Sequence, residues 1–228
     1  MPKKKRERIL ALKNFSNVTE TPTELKERWH KDVFSKAQPI HIELGCGKGD
    51  FLVEMARRQS RTNFIGVDIK GARIFIGAQQ GLDEQLTNLF FVRYEILDLD
   101  EVFKENDISE AWITFPDPYP KKPRKRMTHQ RFIEMYRRIM EPQASIHFKT
   151  DDEALYEYSL KSLAENNCNI ITQTADLYGD IIPDERLSVQ TTFERRHIAA
   201  GKTIKYIHFR LEEKIGGVTN SSTLNKKK

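Results

Sequence analysis

The octet Phe115-Pro116-Asp117-Pro118-Tyr119-Pro120-Lys121-Lys122 joins a rigid turn, one carboxylate and the start of a run of positive charge. Its three prolines hold φ near about −65° and remove backbone donors, so the turn has little freedom. Upstream, Ala111 to Phe115 is a short apolar run that reads as a buried strand. Downstream come Arg124, Lys125 and Arg126. A carboxylate fixed at a strand end beside a phosphate-sized cluster of cations points to chemistry on a nucleic acid.

A second group of residues lies at Glu43-Leu44-Gly45-Cys46-Gly47-Lys48-Gly49. Glycines let a backbone turn sharply and approach a ligand closely. The dinucleotide fingerprint G-x-G-x-x-G seats a pyrophosphate on a helix N-terminus. Here the third glycine comes one residue early, and Glu43 precedes the first. A carboxylate there repels a pyrophosphate but suits an ammonium or sulfonium group, which favours S-adenosylmethionine over a nicotinamide cofactor. Asp68 ends the next strand-like run, where an acid takes ribose hydroxyls. Glu95 follows the third run, where it can accept from an exocyclic adenine amine. Each feature alone also fits a plain tight turn; three acids after three successive strands argue for a ligand.

These groups need a scaffold whose strand ends meet. Apolar runs at Ile40–Leu44, Asn63–Asp68, Leu89–Tyr94, Ala111–Phe115, Ala144–Phe148, Cys168–Thr174 and Thr203–Arg210 read as strands. Helical spacing falls between them: from Phe51 to Ala56, from about Gly71 to Leu86, and from Thr128 to Met140. A further helix runs to about Ala164, with Asp151 as its N-cap. This alternation predicts an α/β fold built on an open, doubly wound, mostly parallel sheet, whose ligands bind beyond the carboxyl ends of the strands.

At 228 residues the chain fits one domain with small extensions. We expect a basic N-terminal arm over 1–38 with at most one short helix near Thr23 to Phe34, a core domain over 39–212, and a disordered basic tail over 213–228. The net charge of +5 is concentrated in Lys3 to Arg8, Lys121 to Arg126 and Lys226 to Lys228. Terminal basic runs are often solvated tails; the middle cluster, held by a turn, has the stronger claim on a polyanion. No apolar run is long enough to span a bilayer, and the start does not read as a secretory signal. Two cysteines, Cys46 and Cys168, fit a reducing cytoplasm. The six histidines show no ligand spacing, so no metal is expected.

With these residues in view, the chain resembles the class I methyltransferases, and specifically the TrmB family of tRNA (guanine-N7)-methyltransferases. The likeness runs from about Ile40 to Arg210. It rests on the Glu43–Gly49 motif, Gly66-Val67-Asp68, the Phe115–Lys122 octet, His147-Phe148-Lys149-Thr150-Asp151, and Thr191-Thr192-Phe193-Glu194 with Gly201 after it. The resemblance implies a Rossmann-like class I fold with an antiparallel C-terminal strand. It implies that Glu43, Gly45, Gly47, Gly49, Asp68, Glu95 and Asp117 border S-adenosylmethionine, with Asp117 also catalytic. It further implies that Lys121, Asp151, Thr191, Thr192, Phe193 and Glu194 contact the substrate, a guanine in the variable loop of tRNA, with no obligatory protein partner. Three positions depart from the family pattern: Tyr119 replaces Trp, Glu95 replaces Asp, and the basic segment after Lys122 is short and interrupted by Pro123. Three other readings stay open here: a different methyl acceptor, an RNA-binding module without catalysis, and a nicotinamide oxidoreductase.

Overall fold

The computed structural model describes residues 3–180 and 183–212; the expected tail over 213–228 lies outside them. In chain order the regular elements are α1 (Lys3–Ala11), β1 (Val18–Thr19), β2 (Ile40–Leu44), α2 (Asp50–Arg58), β3 (Asn63–Val67), α3 (Gly71–Asp83) and β4 (Leu89–Val92). Then follow β5 (Ile108–Thr114), α4 (Gln130–Ile139), β6 (Met140–Thr150), α5 (Glu153–Glu165), β7 (Cys168–Thr174), α6 (Thr192–Ala199) and β8 (Lys205–Leu211). The strands form one sheet in the order β1-β4-β3-β2-β5-β6-β8-β7. Only β8 runs against its neighbours. The doubly wound sheet with an antiparallel last strand is thus the architecture that the alternation and the resemblance imply.

From β2 the chain winds outward through β3 and β4, then returns to β2's other side with β5. The reversal lies between β2 and β5, whose register pairs Glu43 with Trp112. A crevice opens at such a switch point beyond the strand ends. The glycine turn after β2 and the proline turn after β5 are therefore neighbours, although about seventy residues separate them in the chain.

The two faces of the sheet differ. Ile42, Leu44, Ala111, Ile113, Ile146 and Phe148 pack on one side with residues of α4 and α5. On the other side, alternation with period two brings up His41, Glu43, Glu110, Trp112, Thr114, His147 and Lys149. That polar band is covered by α2 and by the chain between β7 and α6, through Phe51, Leu187 and Val189.

The N-terminal residues depart from the expected arm. No single helix spans 23–34; Pro22–Leu25 forms a 3₁₀ turn and Trp29–Val33 a π-helical turn. Trp29 is buried against Phe103, with ring centroids 5.1 Å apart, and donates to the Val102 carbonyl. Leu12 and Phe34 are buried as well, and β1 extends the sheet beside β4. These anchors are isolated large side chains in polar surroundings, so no periodicity announces them. Among the described residues no helix is long and apolar enough to cross a membrane, and no cluster of side chains has the makings of a metal site.

Candidate active site

The glycine turn is built for close approach. Gly45, Gly47 and Gly49 take φ of +77°, +58° and +74°, a region that penalises any Cβ. The amides of Gly45 and Cys46 donate to the Val67 carbonyl, tying the turn to β3. A Cβ on Gly49 would sit 2.8 Å from the Phe91 ring, and one on Gly77 of α3 only 2.4 Å from the Lys48 carbonyl. Gly77, absent from the sequence reading, thus lets α3 pack against the turn.

Asp68 supports this turn from behind. Its carboxylate accepts from the Gly47 amide at 3.0 Å and from the Lys70 amide at 2.7 Å. Glu43 lies deeper, 1% exposed. One of its oxygens accepts from the Thr114 hydroxyl; the other, Oε2, has no partner among the described residues. Burial is the main cause that raises the Glu43 carboxyl from 4.5 to about 8.

The proline turn presents Asp117 outward, with 63% of its side chain exposed and Lys70 Nζ 3.7 Å away. Phe115 and Tyr119 flank it at φ of +52° and +41°, uncommon for bulky residues and characteristic of functional turns. The Phe115 amide donates to the Lys149 carbonyl of β6, which helps hold that shape. Arg126, expected with Arg124 and Lys125 at phosphates, is instead buried; it donates to the Pro118 carbonyl and stacks on Tyr158 at 4.3 Å. It braces the turn, whereas Arg124 and Lys125 are exposed.

The third wall comes from α6, a helix that was not anticipated. Thr191 caps it, and Glu194 closes a reciprocal capping box with Thr191. The Thr192 amide donates to Asp50 Oδ2 at 2.7 Å, joining the starts of α6 and α2. Phe193 is 47% exposed and lies between Phe115 and His197, at 5.2 and 4.0 Å. Glu194, by contrast, is fully buried and pairs with Lys149 Nζ at 2.7 Å, with the Tyr178 hydroxyl donating to the same oxygen. Burial depresses the pKa of Lys149 while Glu194 works against the shift.

Asp151 also differs from its expected use as a cap. Asp152 caps α5 by accepting from the Leu155 amide, while Asp151 accepts from His197 and Lys202 at 2.8 and 2.6 Å. Burial pushes the Asp151 carboxyl upward, but the Lys202 hydrogen bond and the nearby cations leave it below its ordinary value.

These pieces enclose a cavity of about 600 Å³. Gly45, Gly47, Asp117, Asp151, Thr191, Thr192 and Phe193, all singled out from sequence, line it together. Asp50, Lys48, Arg73, Arg196 and Lys202, which were not, line it too. Glu43, Gly49, Asp68 and Glu194 stand behind its walls, and Glu95 and Lys121 are exposed outside it.

Comparison with known proteins bears directly on this arrangement. A family model described as "Putative methyltransferase" matches residues 37–207. The tRNA (guanine-N(7)-)-methyltransferase of Porphyromonas gingivalis is 43% identical over 190 residues, covering 83% of this chain and 78% of that one. Its counterpart in Christiangramia forsetii is 39% identical over 198 residues, covering 86% and 88%. The chain belongs to the tRNA (guanine-N7)-methyltransferase family. Among solved structures, the 16S rRNA methyltransferase KamB aligns with a TM-score of 0.60 over 79% of this chain and 91% of that one. At 14% identity, that likeness speaks for the class I fold alone.

Membership in this methyltransferase family removes the nicotinamide oxidoreductase reading and makes S-adenosylmethionine the cofactor. The residues fit such a ligand. A Cβ on Gly47 would meet nothing closer than 3.9 Å, so the turn opens to a free volume. Beneath it lies the unpartnered oxygen of Glu43, an acid that a cationic ligand would favour. Basic and acidic side chains both line the cavity of this methyltransferase, so a cation and a phosphate each find partners there.

Proposed function

We propose that this protein transfers the methyl group of S-adenosylmethionine to N7 of the variable-loop guanine in tRNA, acting in the cytoplasm without an obligatory protein partner. The observation that carries this reading is the strained, proline-framed turn that holds Asp117 at a cavity between the glycine turn and α6. S-adenosylmethionine supplies, when bound, a methyl group made electrophilic by its sulfonium. Gly45, Gly47 and Gly49, with Glu43, Asp68, Glu95 and Asp117, are our assignment for holding it. The acceptor nitrogen already carries a free lone pair, so no side chain needs to remove a proton first. The work of the chain is alignment and the placement of charge.

Asp117 is the residue we assign to both tasks. Its carboxylate can accept paired hydrogen bonds from the amide and amine hydrogens of guanine, and its charge stabilises the purine as positive charge arrives. Phe193 offers an exposed ring on which a base can stack, and Asp151, Thr191 and Thr192 stand beside it. Lys121 and the exposed Arg124 and Lys125 are left for the backbone phosphates. Glu194 acts through Thr191 and Lys149 in this assignment rather than on the base. Substitution of Asp117 by Asn tests the proposal: transfer to a tRNA transcript at saturating S-adenosylmethionine should fall by about a hundredfold or more, well beyond any loss of cofactor affinity. Near-normal turnover would remove Asp117 from the mechanism.

A further inference from the structure

The chain before α6 carries an ion-pair network that the reaction does not use. Arg186 donates through Nη1 to both oxygens of Glu110, at 2.6 and 2.7 Å, and through Nε and Nη2 to Asp184. Its guanidinium lies 5.2 Å over the Trp112 ring, and the Trp112 indole N–H donates to the same Glu110 carboxylate at 2.6 Å. His41 and His147 stand 3.2 and 3.4 Å from that carboxylate. Glu110 and His147 are buried.

The place of this network is informative. Glu110 lies four residues before Thr114 on β5, so the anchor is about 13 Å from the cavity end of the strand. Neither Arg186, Glu110 nor Asp184 lines the cavity. Yet Thr191 and Thr192 of the wall follow Arg186 directly, with only Leu187 to Gln190 between. Leu187 and Val189 are buried on the same face of the sheet. Apolar burial alone would fasten this segment without charges and without their desolvation. What the guanidinium adds is register: its Nε–Nη2 edge is fixed on Asp184 while Nη1 reaches the buried Glu110 carboxylate, and one planar group meets both in only one placement of the chain.

We propose that Arg186, held by Glu110, is a positioning residue for the RNA side of the cavity. It sets the register of residues 183–190 and, through them, where Thr191, Thr192 and Phe193 stand. The glycine turn itself is held by different partners, Val67 and Asp68, and the Thr192–Asp50 bond joins α6 to α2 only beyond Gly49, so cofactor binding depends on Arg186 far less than tRNA binding does. The inference rests on the reading of the cavity as the site where cofactor and tRNA meet.

The test is steady-state kinetics with tRNA transcript, beside calorimetric titration with S-adenosylmethionine, on the full chain and its Arg186→Met and Arg186→Lys variants. Arg186→Met should lower kcat/KM for tRNA by about tenfold to a hundredfold, with a much smaller change in cofactor affinity. Arg186→Lys, which keeps the charge but loses the fork, should fall between. A folded Arg186→Met protein with unchanged kcat/KM overturns the proposal. So does a loss of cofactor affinity as large as the loss toward tRNA, because that is general loosening. If Arg186→Met does not fold, the same two criteria apply to Arg186→Lys. Failure of the unaltered chain to methylate tRNA would instead defeat the functional reading.

Discussion

Glu43 places a buried acid where stability and function oppose one another, and the size of that conflict can be worked out. The residue is 1% exposed, and its carboxyl has one hydrogen bond from Thr114 and one oxygen without a partner among the described residues. Desolvation raises it from 4.5 to about 8, Asp50 and Asp68 add to the rise, and Thr114 and Lys149 oppose it. An acid whose folded value lies above its unfolded one binds its proton more tightly when folded. Its contribution to stability is therefore complete below the unfolded value and is lost as pH rises through the folded one. Between about pH 5 and about pH 8.5 the ligand-free protein should lose about 4 kcal/mol from this group alone. Glu43→Gln keeps the shape, still accepts from Thr114, and has nothing to ionise. Urea unfolding of both proteins across that range is the assay. The difference in stability should grow in favour of the Gln variant by about 4 kcal/mol as pH rises, while its affinity for S-adenosylmethionine falls. Parallel pH profiles would mean that Glu43 is not an acid held against its preference for water.

Other consequences can be checked separately. Lys149→Met leaves the buried Glu194 carboxylate without its cation, and should cost about 3–5 kcal/mol and lower Tm by about 10 °C in a thermal melt. The double variant Lys149→Met with Glu194→Gln should recover most of that loss. Gly77→Ala forces a methyl to 2.4 Å from the Lys48 carbonyl, so calorimetry should show weaker cofactor binding beside a stability loss of about 1–3 kcal/mol. Affinity for tRNA, measured by filter binding, should fall steeply with salt because phosphate contacts release counterions.

The scaffold was legible wherever apolar runs alternate with helical spacing. Ile40–Leu44 and Cys168–Thr174 form strands over the residues expected, and α3 starts at Gly71 as expected. What the pattern missed has little pattern. α1 buries no side chain of its own, β1 is two residues long, and α6 fully buries only Glu194, with Ile198 partly buried beside it. For α6 a signal did exist: Thr191 and Glu194 have the spacing of a capping box, and Asp151-Asp152 likewise holds the true cap one residue late. At the site, chemical type was legible and direction was not. Acids at strand ends were evident, but whether a carboxylate faces the cavity depends on partners from distant elements. Asp68 turns to the Gly47 amide, and Glu194 turns to Lys149, a cation near the end of the central strand β6. That lysine was the available clue, because a charge on a central strand demands a buried partner.

The reaction and its acceptor can both be read out by nucleoside mass spectrometry. The purified chain is incubated with S-adenosylmethionine and an unmodified tRNA transcript, and the RNA is digested and analysed. 7-Methylguanosine should appear, and should disappear when the variable-loop guanine is replaced. Cofactor binding with no 7-methylguanosine, or 7-methylguanosine that persists after that replacement, would contradict it.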